Sequence, residues 1–563
     1  MEKKLQIEIA ELDIRGMTCE DCAHHVTKAL LKVEGVYEAV VPGWKSQRAE
    51  VRLSTDTPSA ALAEAVKAAG YGAQVKIRHG VSDAKSPQEE GSAPEKKDYD
   101  LIVIGTGGAG VAAAIRAAES GYRVAIVELG TVGGTCVNIG CVPSKTLIRA
   151  AEAYHHAAHP HFEGVQTHAD SVDWETVVRQ KDQLVEGLRQ EKYLDVLASY
   201  GENITLIRGK AHILADGTVS VDNGNALRAG KILIATGASP RILELRGIED
   251  VPVLTSTSLL ALKKLPKSLI VIGGRAIALE LGQTLQRFGV QVTILQRGSR
   301  LLPDHEPEVS EAIERYLGVD GIEVHTGVHP AEIRQEGGET IITATVGKDK
   351  REYRAEQVLM AVGRVPNTEN LGLEEAGVDV DQDGFIIVDE SMRTTNPKIY
   401  AAGDVTTLPK LVYVAAAGGS IAATNALNGT RTPFDLSVVP DVVFTDPQVA
   451  TVGLTERAAR EAGYNVKTSV LPLDYVPRAL AARDTRGLIK LVADATTDKL
   501  LGCQLVAPEG GEIIQTATLA IKFGISIGDL VGTLFPYLTL GEGIKLAAQT
   551  FDKDLTKLSC CAG

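Results

Sequence analysis

The chain has 563 residues, length for roughly three or four domains, and its 44% hydrophobic and 23% charged content is that of a globular protein with well-filled cores. A formal net charge of −14 argues against a general binder of nucleic acid or anionic membrane, and no apolar run is long enough to span a bilayer. Seven cysteines, an odd number, and a start without an apolar leader read as the working thiols of a cytoplasmic protein rather than a secreted disulfide framework.

Residues 5–78 read as a small module. Residues 5–14 alternate as a strand, and 21–33 are helical by the spacing of Cys22, Val26, Leu30 and Val33. Residues 36–41, 48–53, 58–69 and 71–77 follow as strand, strand, helix and strand, a βαββαβ order that is ferredoxin-like. Within it Cys19 lies in a loop and Cys22 begins a helix, so both sulfurs can meet one ion. One C-x-x-C lacks the four ligands of a closed structural zinc site. Residues 79–97 are rich in Gly, Ser, Pro and Glu and read as a flexible linker.

From Asp98 the texture changes to buried strands, glycine turns and helices. Residues 99–104 are an apolar strand running into Gly105-Thr106-Gly107-Gly108-Ala109-Gly110 and an alanine-rich helix. In that setting Gly105 permits the tight turn, Gly107 lets a pyrophosphate approach the backbone, and Gly110 lets the helix pack on the strand. Glu128 ends the next strand, where a carboxylate can accept ribose hydroxyl hydrogens. Cys136 and Cys141 follow as a C-x4-C pair at the start of a helix through Ser144-Lys145-Thr146-Leu147, where a helix N-terminus lowers a thiol's pKa.

A second nucleotide unit spans 269–297. Its turn, Gly273-Gly274-Arg275-Ala276-Ile277-Ala278, carries Arg275 in the second glycine slot, from which a guanidinium can itself reach a phosphate. Gln296 replaces the expected acid and is followed by Arg297 and Arg300, a pattern that fits a 2′-phosphate and hence NADP. The competing reading is a surface turn with ordinary arginines. Strands at 441–444 and 487–492 and helices at 511–523 and 541–552 then precede Cys560-Cys561, while Cys503 reads as a buried strand residue.

The stretch Gly133-Gly134-Thr135-Cys136-Val137-Asn138-Ile139-Gly140-Cys141-Val142-Pro143-Ser144-Lys145 resembles the redox signature of the flavin-dependent pyridine nucleotide–disulfide oxidoreductases. Ala235-Thr236-Gly237-Ala238, Ala361-Val362-Gly363-Arg364-Val365-Pro366-Asn367 and Ala401-Ala402-Gly403-Asp404-Val405 match further family segments in order, so the resemblance covers about residues 98–563. It implies an α/β fold with two Rossmann-like dinucleotide-binding domains and an α+β dimerisation domain, preceded by the small ferredoxin-like metal-binding domain. The implied boundaries are 1–78 for that first domain, 79–97 for the linker, and 98–245 with 368–437 for an FAD-binding domain. They continue as 246–367 for an NADPH-binding domain and 438–563 for dimerisation. FAD is expected on Gly105, Gly107, Gly110, Glu128, Gly134, Thr135, Lys145 and Asp404, and NADPH on Gly273, Arg275, Arg297 and Arg300. The resemblance places Lys145 near the flavin and pairs it with Glu280. It turns Cys141 toward the flavin and leaves Cys136 to exchange with substrate. It also implies a homodimer whose C-terminal domain completes the partner's site. Many relatives place a Tyr at the position of Ala276 as a lid over the nicotinamide pocket, and that lid is missing here.

One departure selects the reaction. Family members that reduce disulfides carry a His-Pro-Thr-x-x-Glu pattern whose His protonates a departing thiol. Here the matching stretch is Pro536-Tyr537-Leu538-Thr539-Leu540-Gly541-Glu542, and the phenol of Tyr537, with an ordinary pKa of about 10, is a poor proton shuttle at neutral pH. A soft metal ion on sulfur needs no such donor. With the tail pair Cys560 and Cys561, the chain resembles the branch of the family that reduces Hg(II) to Hg(0) with NADPH. The loop Gly16-Met17-Thr18-Cys19-Glu20-Asp21-Cys22 resembles that of heavy-metal-associated domains. The metal ligands implied are Cys19 and Cys22 for capture, Cys560 and Cys561 for delivery, and Cys136 and Cys141 for reduction, with Hg(II) arriving on small thiols or from a transport protein. Two alternatives stay open: an NADPH-dependent disulfide reductase using the C-terminal cysteines, and a soft-metal-binding or chaperone protein.

Overall fold

The computed structural model describes residues 7–17, 20–33, 35–41, 44–54, 56–80, 98–222 and 224–555. The chain divides into two compact units, Met1–Glu95 and Lys96–Gly563.

In the first unit, strands Ile7–Arg15, Val36–Val40, Arg48–Ser54 and Gly72–Gly80 form an antiparallel sheet in the order second, third, first, fourth. Arg48–Ser54 alternates exposed and buried residues, as a strand with one covered face must. The covering helices are Glu20–Leu30 and Ser59–Ala68. Cys22, Ala23, Val26 and Leu30 lie on one stripe of the first helix and are buried with Leu12, Ile14 and Val51. The βαββαβ order expected from the hydrophobic periodicity is the one found.

The second unit contains two parallel sheets. In one, Ile399–Ala401, Ala229–Ile234, Tyr99–Ile104, Val124–Glu128 and Ile204–Arg208 lie side by side, all parallel. Leu101, Ile102 and Val103 are wholly buried, because helix residues such as Ala113 and Ala422 cover one face of the sheet and strand residues such as Ile213 and Val219 cover the other. The other sheet orders Glu323–His325, Gln291–Leu295, Ser268–Ile272 and Gln357–Met360, again parallel. Ile399–Ala401 returns to the first sheet only after the second is complete, so the chain leaves the first nucleotide fold and re-enters it. Helix Val412–Asn428 then packs on helix Gly108–Glu119 so closely that a Cβ on Gly419 would lie 2.1 Å from the Ala109 carbonyl oxygen. Last comes an antiparallel sheet of Asp441–Val443, Gln448–Gly453, Leu500–Ala507, Leu488–Asp494 and Val466–Pro472. Helices Gly510–Lys522 and Glu542–Gln549 belong to the same C-terminal part, and Ile513, Ile514, Ile544 and Ala547 share its core with Leu491 and Leu505. The expected fold class is the one observed. Among the described residues no helix is long and apolar enough to cross a membrane.

Candidate active site

Two glycine turns meet at the carboxyl end of the first parallel sheet. Gly105 has φ +108°, a left-handed conformation that favours glycine, and a Cβ there would lie 2.3 Å from the Ala235 carbonyl oxygen. A Cβ on Gly110 would lie 1.9 Å from the Gly105 oxygen, so only glycine lets this helix sit on its strand. Gly107 differs: its nearest neighbour would be the Gly134 Cα at 3.9 Å, so open space lies over it. Gly134, with φ +64°, cannot carry a Cβ because the Gly107 Cα would be 2.5 Å away. Glu128 ties the two turns together. Its Oε2 accepts from the Thr106 amide at 3.0 Å and from the Thr106 hydroxyl, while Oε1 accepts from the Gly130 amide at 2.6 Å. The Thr106 hydroxyl in turn accepts from the Gly133 amide at 3.2 Å.

The second turn leads into helix Gly134–Ile139, which carries Thr135 and Cys136. Gly140 breaks it, and helix Cys141–Ala158 begins on the other cysteine. Both are half-buried free thiols. The hydrogen bond from Cys136 is the largest influence on Cys141. Burial opposes it and the Lys145 charge assists it, and the thiol is held down to about 7. The shared proton, and burial after it, push Cys136 up. Of the two sulfurs, Cys141 is thus the one that ionises first.

Lys145, one turn along the same helix, donates from Nζ to Glu280 Oε2 at 2.7 Å and lies over the Phe444 ring, 4.5 Å from its centroid. Glu280 is buried on helix Ala276–Arg287, and its Oε1 accepts from the Phe444 amide at 2.9 Å. The pair thus joins the redox helix, the second nucleotide unit and the C-terminal sheet. Asp404 follows strand Ile399–Ala401, and burial holds its carboxyl above the usual range despite Arg364 and Lys410.

Two neighbours were missed in the sequence. Arg364 donates from Nη2 to the Ala238 carbonyl, but its buried Nε has no hydrogen-bond acceptor among the described residues and lies 3.7 Å from Asp404 Oδ2. Its segment was visible as a motif, but nothing marked the side chain. Tyr193 sits on a π-helical turn, Gln190–Leu194, that continues helix Trp174–Arg189. Its ring Cγ lies 3.5 Å from where a Cβ on Gly133 would be. Burial, and after it the charges of Cys136 and Cys141, raise its phenol pKa, which places it beside the sulfur pair. A π turn is often a functional-site feature, but no local spacing announces it.

The second nucleotide turn is arranged differently from the first. Gly273 has φ +130° and faces the Ala361 oxygen, where a Cβ would be 2.3 Å away. Arg275 forms the N-cap of helix Ala276–Arg287 and pairs with Asp304. Gln296 is buried, and a Cβ on Gly274 would press on its side chain at 2.8 Å, so it props the turn. Its Nε2 donates to the Arg300 oxygen at 3.1 Å. Arg300 donates from Nη2 to the Pro303 and His305 oxygens at 2.7 and 2.9 Å, so part of that guanidinium holds its own loop. Arg297 stands exposed.

Tyr537 lies in the loop between helices Ile527–Gly532 and Glu542–Gln549 and is 57% exposed, with Leu534 and Leu538 exposed beside it. Glu542 is buried, and its Oε2 has no hydrogen-bond partner among the described residues. Cys503 is enclosed in strand Leu500–Ala507, where burial pushes its thiol up to about 12 and makes it inert. Cys19, Cys560 and Cys561 lie outside the described residues; Cys22 is buried in the first unit.

Comparison with known proteins matches residues 99–419 to the pyridine nucleotide-disulphide oxidoreductase family. Residues 439–548 match its dimerisation domain, and 11–72 match the heavy-metal-associated domain. Mercuric reductase of Staphylococcus aureus is 47% identical over 561 residues, covering 98% of this chain and 99% of its own. That of Acidithiobacillus ferrooxidans is 44% identical, with 98% and 99% covered. Among solved structures, the HOCl-induced flavoprotein disulfide reductase RclA from Escherichia coli superposes with a TM-score of 0.73 at 30% identity, covering 80% of this chain and 99% of its own. The glycine cradle, the thiol pair and these matches along nearly the whole length lead to one assignment: the chain belongs to the pyridine nucleotide-disulphide oxidoreductase family, in its mercuric reductase branch, with a heavy-metal-associated domain at its N-terminal end.

Proposed function

We propose that this protein reduces Hg(II) to Hg(0) with electrons from NADPH, as an FAD-dependent enzyme. The observation that carries the reading is the pair of half-buried free thiols, Cys136 and Cys141, hydrogen-bonded to each other and within range of the Lys145 charge. The resemblance to mercuric reductases along the whole chain supports it. So does a phenol, Tyr537, where disulfide-reducing relatives carry an acid–base imidazole.

The residues present fit FAD on two counts: the open space over Gly107 and the unsatisfied Nε of Arg364 beside Asp404. Gly105, Gly107, Gly110, Glu128, Gly134 and Thr135 hold its dinucleotide portion at the helix N-terminus, and Asp404 and Lys145 the remainder. Gly273, Arg275, Arg297 and Arg300 take NADPH, with exposed Arg297 the guanidinium for a 2′-phosphate. When bound, FAD relays the electron pair of NADPH to the site at Cys136 and Cys141.

The chain's own residues handle the ion. Cys136 and Cys141 bind Hg(II) as two thiolates, the ion replacing their shared proton. Lys145, fixed by Glu280, stabilises the Cys141 thiolate, and Tyr193 shields the pair from water. Two electrons convert the bound ion to Hg(0) and leave both sulfurs as thiolates. Delivery proceeds by thiolate exchange, in which one Hg–S bond replaces another, so no proton donor is needed and a phenol at 537 suffices. The dimerisation domain at 439–548 implies a homodimer. In it Tyr537, Cys560 and Cys561 serve the thiol pair of the other subunit, and Cys19 and Cys22 take Hg(II) from small thiols or a transport protein.

Anaerobic NADPH oxidation with Hg(II) in excess small thiol, run beside oxidised glutathione and oxidised thioredoxin, tests this. Mercury-dependent oxidation with release of Hg(0) is expected; faster turnover with either disulfide would sink the reading. Cys560→Ala with Cys561→Ala should slow Hg(II) turnover at least ~10-fold, about 1.4 kcal/mol of barrier, with flavin reduction by NADPH intact.

A further inference from the structure

We propose that the histidines at the far end of the redox helix form a second metal site, one for a borderline divalent cation such as Ni2+ or Zn2+. His155 and His156 lie in the last turn of helix Cys141–Ala158, and His159 and His161 follow directly. All four line one cavity of about 360 Å3 with Tyr154, Arg287, Asp320 and Arg486.

Their hydrogen bonds fix which nitrogens are free. His156 Nε2 lies 3.2 Å from Asp446 Oδ2, and His161 Nδ1 lies 3.1 Å from the Arg483 carbonyl oxygen. Carboxylate and carbonyl only accept, so these two nitrogens carry the protons. In the neutral rings, Nδ1 of His156 and Nε2 of His161 are then left with lone pairs. An imidazole whose other nitrogen is held by a carboxylate or a carbonyl is the usual metal-ligating arrangement. The two rings stand edge-on with centroids 5.9 Å apart. Two imidazoles sharing one ion at about 2.0–2.1 Å per bond place their centroids about 5–6 Å apart. His159 Nδ1 lies 3.0 Å from the His155 oxygen, so its Nε2 is free in the same way.

The guanidiniums beside the site are already paired, Arg287 with Asp320 and Asp446, and Arg486 with Asp446 and Asp484. Among the described residues no three His, Cys, Asp or Glu groups already converge on a metal position. The proposal therefore rests on the His156 and His161 pair, with water or a rotated His159 to complete the coordination. Imidazole selects borderline metals, whereas thiolate selects soft ones, so this site does not draw Hg(II) from the cysteines. His156 and Cys141 stand near opposite ends of one helix, about 22 Å apart at 1.5 Å per residue. His161 also accepts from Arg483 Nε at 2.9 Å through its carbonyl, so an ion held by His156 and His161 would tie this end of the redox helix to the cap of helix Pro477–Ala482.

The test uses untagged, full-length, FAD-loaded protein whose accessible thiols have been alkylated with iodoacetamide, titrated with Ni2+ by calorimetry. One Ni2+ per chain is expected, with affinity lowered at least ~10-fold in both His156→Ala and His161→Ala. Ni2+ should raise the thermal midpoint of the unsubstituted protein but not of either variant, and Hg(II) turnover of the unalkylated variants should be unchanged. His161→Ala leaves the ion pairs of Asp446 intact, so it reports on binding even if His156→Ala folds poorly. Equal affinity in the unsubstituted protein and His161→Ala, or no saturable Ni2+ binding, would overturn the proposal.

Discussion

Between Cys136 and Cys141 one proton is shared, and the groups around it decide which sulfur releases it. The hydrogen bond from Cys136 is the largest influence lowering Cys141, with burial against it and Lys145 for it. Because the Cys141 pKa is depressed, to about 7, its thiolate is present above that pH and lost below it. The rate of Cys141 alkylation in the reduced protein should therefore rise with pH to a plateau, with its midpoint near 7. In Cys136→Ala the hydrogen bond is gone, and the midpoint should move up toward the ordinary value of about 8.5. A midpoint that stays put in the variant would assign the effect to Lys145 instead. Under the proposed function a phenol at 537 suffices, because a metal cargo has no departing thiol to protonate.

At the scale of elements, Asp446 fastens three that are distant in sequence. Its carboxylate accepts from Arg287 Nη1 at 2.9 Å on helix Ala276–Arg287, from Arg486 Nη2 at 3.0 Å beside strand Leu488–Asp494, and lies 3.2 Å from His156 Nε2 on the redox helix. Its backbone exchanges two further hydrogen bonds with the Gln283 side chain, at 2.8 and 2.9 Å. Burial opposes its ionisation, but the His156 bond and the Arg486 and Arg287 charges outweigh it and hold the carboxyl well below the usual range. Asp446→Asn leaves the Arg287 side chain, only 2% exposed, with Asp320 as its remaining counter-charge. The expected loss is on the order of 3 kcal/mol, read from the chemical-denaturation midpoint at pH 7. The folded pKa is the lower one, so this stability is full above the unfolded value of about 3.9 and is lost as pH falls toward the folded value. The gap between the two proteins should accordingly narrow only below about pH 4. A gap that closes between pH 7 and pH 5 would point to His156, not Asp446, as the titrating group.

For the whole molecule, the division into Met1–Glu95 and Lys96–Gly563 sets the unit proposed for capture apart from the unit proposed for chemistry. Each unit has its own apolar core, that of the first built from Leu12, Val26, Val51 and Leu62 among others. Removal of residues 1–97 should leave NADPH-dependent Hg(II) turnover within ~2-fold at saturating Hg(II), since domains with separate cores fold alone. The shortfall should appear only when Hg(II) is scarce. An inactive truncated protein with its flavin still bound would show that the first unit takes part in the chemistry. Leu534, Tyr537 and Leu538 expose apolar surface in one subunit, as expected of a patch that a second subunit covers.

What the sequence determined by itself was whatever short-range chemistry dictates. The glycines at 105, 107 and 110, the C-x4-C spacing and the βαββαβ alternation were legible because turns, helix starts and strand alternation follow from residues within a few positions of one another. Family resemblance added Glu280 as the partner of Lys145, but the 2.7 Å contact spans 135 residues of chain, and no local pattern carries it. Only the tertiary structure decided that Gln296 props a turn, that Arg300 is partly engaged with its own loop while Arg297 is not, that Tyr193 stands by the sulfur pair and that Arg364 stands by Asp404. The physical reason is the same in each case. Such roles depend on which side chains and carbonyls from distant segments are brought within hydrogen-bonding or Coulomb range, and that is settled by how the sheets and helices pack, not by the identity of neighbours along the chain.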